Sequence, residues 1–171
     1  MKRVLSLILF LGLASSANAE LTAIQIGIDG SSVGPEYDIV TGNTISVEMY
    51  SGNTNSGLAY LGFEDNGLFT LSNPRVDTNA HDQGEYSGPY TYGGYLWFEI
   101  IVSASPSSTI TPGTMFLVDF TAGSTTGTVD VYLQDEYLQT IDYLTVNIIP
   151  EPMTITLLAL GSLAILRKRK G

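Results

Sequence analysis

Between Leu21 and Asn147 apolar and polar residues alternate with period two over short runs, and none of these runs keeps the 3.6-residue period of an amphipathic helix. Ile24, Ile26 and Ile28 alternate with Gln25 and Gly27; Ile45, Val47 and Met49 alternate with Ser46 and Glu48. Similar runs at 58–63, 68–71, 95–103, 114–121, 128–134 and 140–148 bring the expected total to about eight strands. The clearest is Tyr95 to Ser103, where Leu96, Phe98, Ile100 and Val102 share one face and Tyr95, Trp97 and Glu99 the other. Clusters of Gly, Asn, Asp, Ser and Pro separate the runs. Glu64-Asp65-Asn66-Gly67 reads as a turn, and Gly123 to Gly127 as a hairpin connection. The pattern predicts an all-β domain over residues 20–147, folded as a two-layer antiparallel β-sandwich.

Both ends of the chain break the alternation. Lys2-Arg3, the apolar run Val4 to Leu13 and the small residues Ala14 to Ala19 have the order of a secretory signal peptide over residues 1–19. Ala17-Asn18-Ala19 fits the signal-peptidase rule, leaving Glu20 as the first mature residue. At the other end, Pro150-Glu151-Pro152 precedes fourteen mostly apolar residues, 153–166, and then Arg167-Lys168-Arg169-Lys170-Gly171. As a helix the apolar run would rise about 21 Å, short of roughly 30 Å of hydrocarbon. Snorkelling Lys and Arg side chains extend such a span, and the basic cluster sits where a positive-inside transmembrane helix needs it.

The triplet, the short Leu/Ala/Gly-rich helix and the terminal basic cluster, paired with a signal peptide, resemble the PEP-CTERM sorting signal of Gram-negative bacteria. The resemblance covers residues 148–171 and implies processing by exosortase, a membrane-embedded cysteine enzyme. It implies Pro150, Glu151 and Pro152 as the recognition triplet and Arg167, Lys168, Arg169 and Lys170 as the cytoplasmic stop. The implied route is export through the inner membrane, transient anchoring by the C-terminal helix, and sorting to the cell surface or extracellular matrix. Read without the resemblance, the same tail is a plain membrane anchor. In the middle domain Gly42-Asn43-Thr44 opens one strand, Phe63-x-Asp65 closes the next, and Thr111-Pro112-Gly113 leads into Met115 to Phe120. In this rhythm the domain resembles cohesins and related carbohydrate-binding modules, and the resemblance implies a sandwich of jelly-roll or cohesin-like type.

Charge narrows the function. Residues 20–142 hold sixteen acidic side chains against the single Arg75, a net fifteen negative charges. Nucleic-acid binding rests on Lys and Arg and is excluded. With no cysteine in the chain, a disulfide scaffold, a thiol nucleophile and a Cys-based zinc site are excluded as well.

The stretch Asn73 to Gly94 reads as the longest irregular segment and gathers the candidate chemistry. Asp77, Asn79, Asp82 and Glu85 are hard oxygen donors of the kind calcium takes. An EF-hand is excluded, because Asp82 stands at the sixth loop position where Gly is needed and Gly88 where the bidentate Glu belongs. A solvated acidic loop has the same composition. Tyr90, Tyr92, Tyr95 and Trp97 supply flat rings that stack on sugar faces if exposed, and that close the end of the sandwich if buried. Ser103 to Thr114 has the Ser/Thr/Pro content of an O-glycosylated loop or of an ordinary connection. Catalytic material is thin: His81 is the only histidine, no G-x-S-x-G occurs, and Asp135-Glu136 are neighbours expected to diverge. The sequence therefore points to a noncatalytic envelope or matrix protein, with exopolysaccharide or another envelope glycan as the alternative ligand-bearing reading and a hydrolase as a remote one.

Overall fold

The computed structural model describes residues 24–52, 57–77, 84–102 and 113–151. The signal-peptide segment, Pro152, the apolar run with its basic cluster, Asn79, His81, Asp82 and residues 103–112 lie outside the described residues.

Eleven strands are formed: β1 (Ile24–Ile28), β2 (Ser31–Ser32), β3 (Glu36–Val40), β4 (Thr44–Ser51), β5 (Gly57–Glu64), β6 (Phe69–Val76), β7 (Glu85–Tyr92), β8 (Tyr95–Val102), β9 (Gly113–Ala122), β10 (Gly127–Gln134) and β11 (Thr140–Ile149). They build a five-stranded sheet, ordered β2-β1-β4-β9-β6, and a six-stranded sheet, ordered β3-β11-β10-β5-β8-β7. Because side chains alternate across a strand, each period-two run sends one set of residues between the layers. Val47, Met49, Phe116, Val118 and Phe120 enter from one sheet; Leu61, Phe63, Phe98, Ile100, Val131, Leu133 and Val146 enter from the other, all at most 1% exposed. Phenylalanines dominate the middle: Phe69 stacks on Phe120 at 4.8 Å, and Phe63 meets Phe98 edge-on at 6.3 Å. Asp142 on β11 ties the layers at one margin, its Oδ2 accepting the Ile26 N–H of β1 at 2.7 Å.

The all-β two-sheet sandwich agrees with the alternation. The strand count and the purely antiparallel pairing do not. The additional strands β2, β3 and β7 carry almost no inward apolar pattern: β2 is two exposed serines, and in β3 only Ile39 is buried. β3 joins the sheet edge parallel to β11, pairing Ile39 with Ile148. Asn73 to Gly94 is not one irregular segment, since β6 runs to Val76 and β7 covers most of the tyrosines. Nor is Gly123 to Gly127 a hairpin: β9 and β10 belong to opposite sheets, so that connection turns a corner between layers. β7–β8 is a tight hairpin, whose Gly93 and Gly94 both have positive φ, 62° and 84°, the geometry a two-residue primed turn requires.

Candidate functional site

The outer face of the six-stranded sheet is built by the polar-position residues of its strands, read rung by rung. In one rung Tyr90 of β7 pairs with Trp97 of β8, Trp97 with Gly62 of β5, Gly62 with Tyr132 of β10, and Tyr132 with Tyr143 of β11. The next rung runs Ser87, Glu99, Tyr60, Gln134 and Thr140 across the same strands. Directly paired side chains in a sheet stand about 5 Å apart, so these rungs place aromatic rings beside a carboxylate and an amide.

Gly62 makes the seat for the indole. A Cβ built at Gly62 would lie 2.4 Å from Cζ3 of Trp97, closer than side-chain carbons approach. The missing side chain lets the ring lie across the backbone of β5, which is why Gly62 is buried at an outward-facing position. Trp97 Nε1–H donates to the Tyr92 carbonyl at 3.2 Å, fixing the ring's other end.

β7 reaches this face through a bulge. Tyr86, paired with Ile100, turns toward the core and packs at 5.5 Å on Phe116. Unbroken alternation would send Tyr90 and Tyr92 the same way. The register shifts between Ser87 and Tyr90, at Gly88-Pro89, and the extra residue re-aims both tyrosines outward. Gly88 has φ 114°, and a Cβ there would lie 2.5 Å from the Trp97 carbonyl oxygen, so the bulge requires glycine.

The β10–β11 hairpin closes the other side. Asp135 Oδ1 accepts the N–H groups of Tyr137 and Gln139, both at 2.9 Å, and this tight turn holds Leu138 at φ 61°. A leucine in the left-handed region costs about 1–2 kcal/mol, and here it presents an exposed apolar side chain to the tyrosines opposite. The result is an open groove of about 400 Å³ lined by Tyr60, Tyr90, Tyr92, Trp97, Glu99, Gln134 and Leu138. Burial, with Glu99 adding a smaller charge effect, raises the Tyr60 phenol above its ordinary value. Burial also raises Tyr132, helped by Asp130 and Tyr95. Both therefore keep their protons at neutral pH and stand as neutral hydroxyls.

Of the predicted aromatic set, Tyr90, Tyr92 and Trp97 come together in the groove. Tyr95 stands behind it, its ring 5.7 Å from Trp97 and 5.6 Å from Tyr132, bracing both. Of the predicted calcium set, Asp77 follows β6 and Glu85 opens β7, strands of different sheets. Asn79 and Asp82 fall outside the described residues, among which no group of three or more His, Cys, Asp or Glu is placed to hold a metal. Pro150 and Glu151 are exposed and follow directly on β11. Sequence reading missed Tyr60, Gln134, Leu138 and above all Gly62. A signal was present: Gly62 and Tyr60 occupy the outward parity of a run whose alternate positions, Ala59, Leu61 and Phe63, are core.

No family model matches the chain, and no curated protein matches it. Several solved cohesins are similar to this chain. The sixth cohesin of scaffoldin B from Acetivibrio cellulolyticus, solved with a dockerin, is 13% identical over 75% of this chain and 100% of that one, with a TM-score of 0.48. A non-cellulosomal cohesin from the archaeon Archaeoglobus fulgidus is 12% identical over 78% of this chain and 94% of that one, with a TM-score of 0.46. The cohesin module of a Clostridium perfringens family 33 glycoside hydrolase is 15% identical over 79% of this chain and 100% of that one, also at 0.46. These likenesses concern architecture and transfer no residue role.

Proposed function

We propose that the chain is an exported, exosortase-sorted protein of the cell envelope or matrix, and that its sandwich is a noncatalytic glycan-binding module using the Trp97 groove. The observation that carries the binding reading is the seating of the indole on Gly62, with Tyr90 and Tyr92 open beside it at 54% and 80% exposure. Sugar rings present apolar C–H faces and a rim of hydroxyls. Flat aromatics take the faces, while Glu99 and Gln134 offer hydrogen-bonding groups at the groove's edge. A preformed concave site of this size, mostly apolar with a few polar groups, suits a ligand rather than a packing defect.

The sorting reading is supported by the sequence at the two ends. With β11 ending at Ile149 and Pro150 following at once, no spacer separates the sandwich from the triplet. Proline fixes φ and carries no N–H, so Pro150-Glu151-Pro152 stops strand pairing and leaves an extended segment a processing enzyme can grip.

The binding test uses the chain's single tryptophan as probe. Trp97 emission of the mature protein should shift when envelope exopolysaccharide is titrated in, and by isothermal titration calorimetry Trp97→Ala should bind at least about tenfold more weakly than the parent, as expected for a central aromatic anchor, with an unchanged far-UV circular dichroism spectrum. No shift with any envelope polysaccharide would leave the domain a structural matrix component. For sorting, mass spectrometry of native envelope material should find Glu20 at the N-terminus and no Arg167 to Lys170; intact Gly171 as the main species would return the tail to a simple anchor.

A further inference from the structure

Resting on the glycan reading, we infer that the groove selects an amine-bearing sugar, with Glu99 and the surrounding ring faces receiving a free ammonium group. Among the described residues the groove combines four aromatic side chains with one carboxylate and no cationic group. Aromatic faces are negative by their quadrupole, and a cation over them is attracted more strongly as water is removed. Glu99 adds a full negative charge to the same walls. Among the described residues Arg75 is the sole Lys or Arg, and it lies on the other sheet, bound to Asp119 at 2.9 Å. No described residue of the groove balances Glu99.

Three other carboxylates show what a structural role looks like. Glu48 is buried and accepts the Gly30 N–H at 2.9 Å and the Thr114 hydroxyl at 2.8 Å. Asp142 holds the Ile26 and Tyr143 N–H groups at 2.7 and 2.9 Å, and Asp135 holds Tyr137 and Gln139. Glu99 is half-buried, and its carboxylate accepts no hydrogen bond from any described residue. Its neighbours across the rung are Tyr60 and Ser87. A sugar ammonium supplies charge and donors together. An anionic sugar would bring a second negative charge against Glu99 and against a domain already carrying fifteen net negative charges between residues 20 and 142.

The test titrates the mature protein with three β-1,4-linked hexamers of one backbone geometry: glucosamine, N-acetylglucosamine and glucose. Trp97 fluorescence should report the glucosamine hexamer binding about tenfold tighter or more, the ratio a charge-assisted contact supplies. Glu99→Gln should erase that preference while keeping the weaker binding of the neutral hexamers. Glu36→Gln, on the far edge strand β3, should leave the preference intact. Equal binding of all three hexamers would overturn the amine inference and leave the glycan reading standing. Glucosamine binding that isothermal titration calorimetry finds undiminished in both Glu99→Gln and Trp97→Ala would overturn it too, as adsorption to the acidic surface. Binding of none would overturn it and remove the support for a sugar ligand.

Discussion

The two outer faces of the sandwich follow the same alternation and differ almost wholly in chemistry. On the five-stranded sheet one rung reads Thr44, Thr121 and Thr70, and the next Ser46, Asp119 and Ser72. Their polar groups answer one another: Thr44 and Thr121 hydroxyls lie 2.8 Å apart, and Asp119 takes Arg75 and Asn73 at 2.9 and 3.1 Å. On the six-stranded sheet the corresponding rungs hold Tyr90, Trp97, Tyr132 and Tyr143, then Glu99, Tyr60 and Gln134. One face satisfies itself. The other leaves ring faces open, places a leucine in the left-handed region, and keeps a carboxylate with no donor among the described residues. Exposed aromatics add little to a soluble fold, so a face that spends a bulge, a mid-strand glycine and a strained turn on displaying them is shaped for contact.

The largest effect should come from Gly62→Ala. The added methyl would occupy space held by the indole, and relieving such overpacking costs about 1–3 kcal/mol. Chemical denaturation should show that loss, together with a red-shifted Trp97 emission as the ring is pushed off β5. Unchanged stability and emission would mean that the indole is not seated there, and the contrast between the faces would weaken.

Leu138→Gly should act with opposite signs on stability and binding. It removes a left-handed leucine, a gain of about 1–2 kcal/mol, against an unfolded-state entropy cost of about 0.5–1 kcal/mol for glycine. The melting temperature should stay level or rise while glycan affinity falls about threefold to tenfold through loss of one groove wall. A variant that binds as the parent does would remove Leu138 from the site.

On the self-satisfied face, Arg75→Ala should cost under about 1 kcal/mol, as exposed ion pairs do, and leave Trp97 titrations unchanged. The Arg75 and Asn73 hydrogen bonds hold the Asp119 carboxyl below the usual carboxylate range. The sign follows: that contribution is complete above the unfolded-state value near pH 4 and is lost as pH falls through the lower folded value. Acid denaturation of the parent and of Asp119→Asn should therefore converge at low pH. Parallel curves to the lowest pH would show that the pair contributes nothing.

The smallest effect lies at high pH. Tyr60 and Tyr132 have phenols raised above the ordinary value by burial. Their neutral forms favour the fold fully below about pH 10, and that contribution disappears as pH rises through the raised values. Spectrophotometric titration should show one fewer late-ionising tyrosine in Tyr60→Phe than in the parent.

The period-two alternation made the sandwich and the outward set Tyr95, Trp97 and Glu99 legible, because β8 lies inside its sheet with a fully apolar inner face. The edge strands were not. β7 pairs on one side only, and its alternation is broken by the Gly88-Pro89 bulge, so the string Tyr86 to Tyr92 reads as a loop. Residues 123–127 look like a hairpin because glycine turns of that length serve equally at corners, and the assignment of β9 and β10 to opposite layers is settled by long-range packing. The groove needed knowledge of which strands are neighbours. Gln134 and Leu138 are far from Trp97 in sequence and reach it only because β10 pairs with β5 and β5 with β8.

The central claim is that the aromatic face, and not its polar counterpart, is where this protein meets its ligand. Amide chemical-shift mapping of the mature protein during titration with the glucosamine hexamer addresses both faces in one experiment. Perturbations should concentrate at Tyr60, Gly62, Tyr90, Tyr92, Trp97, Glu99, Gln134 and Leu138, with Ser46, Ser72, Arg75 and Asp119 unmoved. Perturbations centred on the Arg75–Asp119 face, or scattered over the surface with no focus at Trp97, would contradict the account.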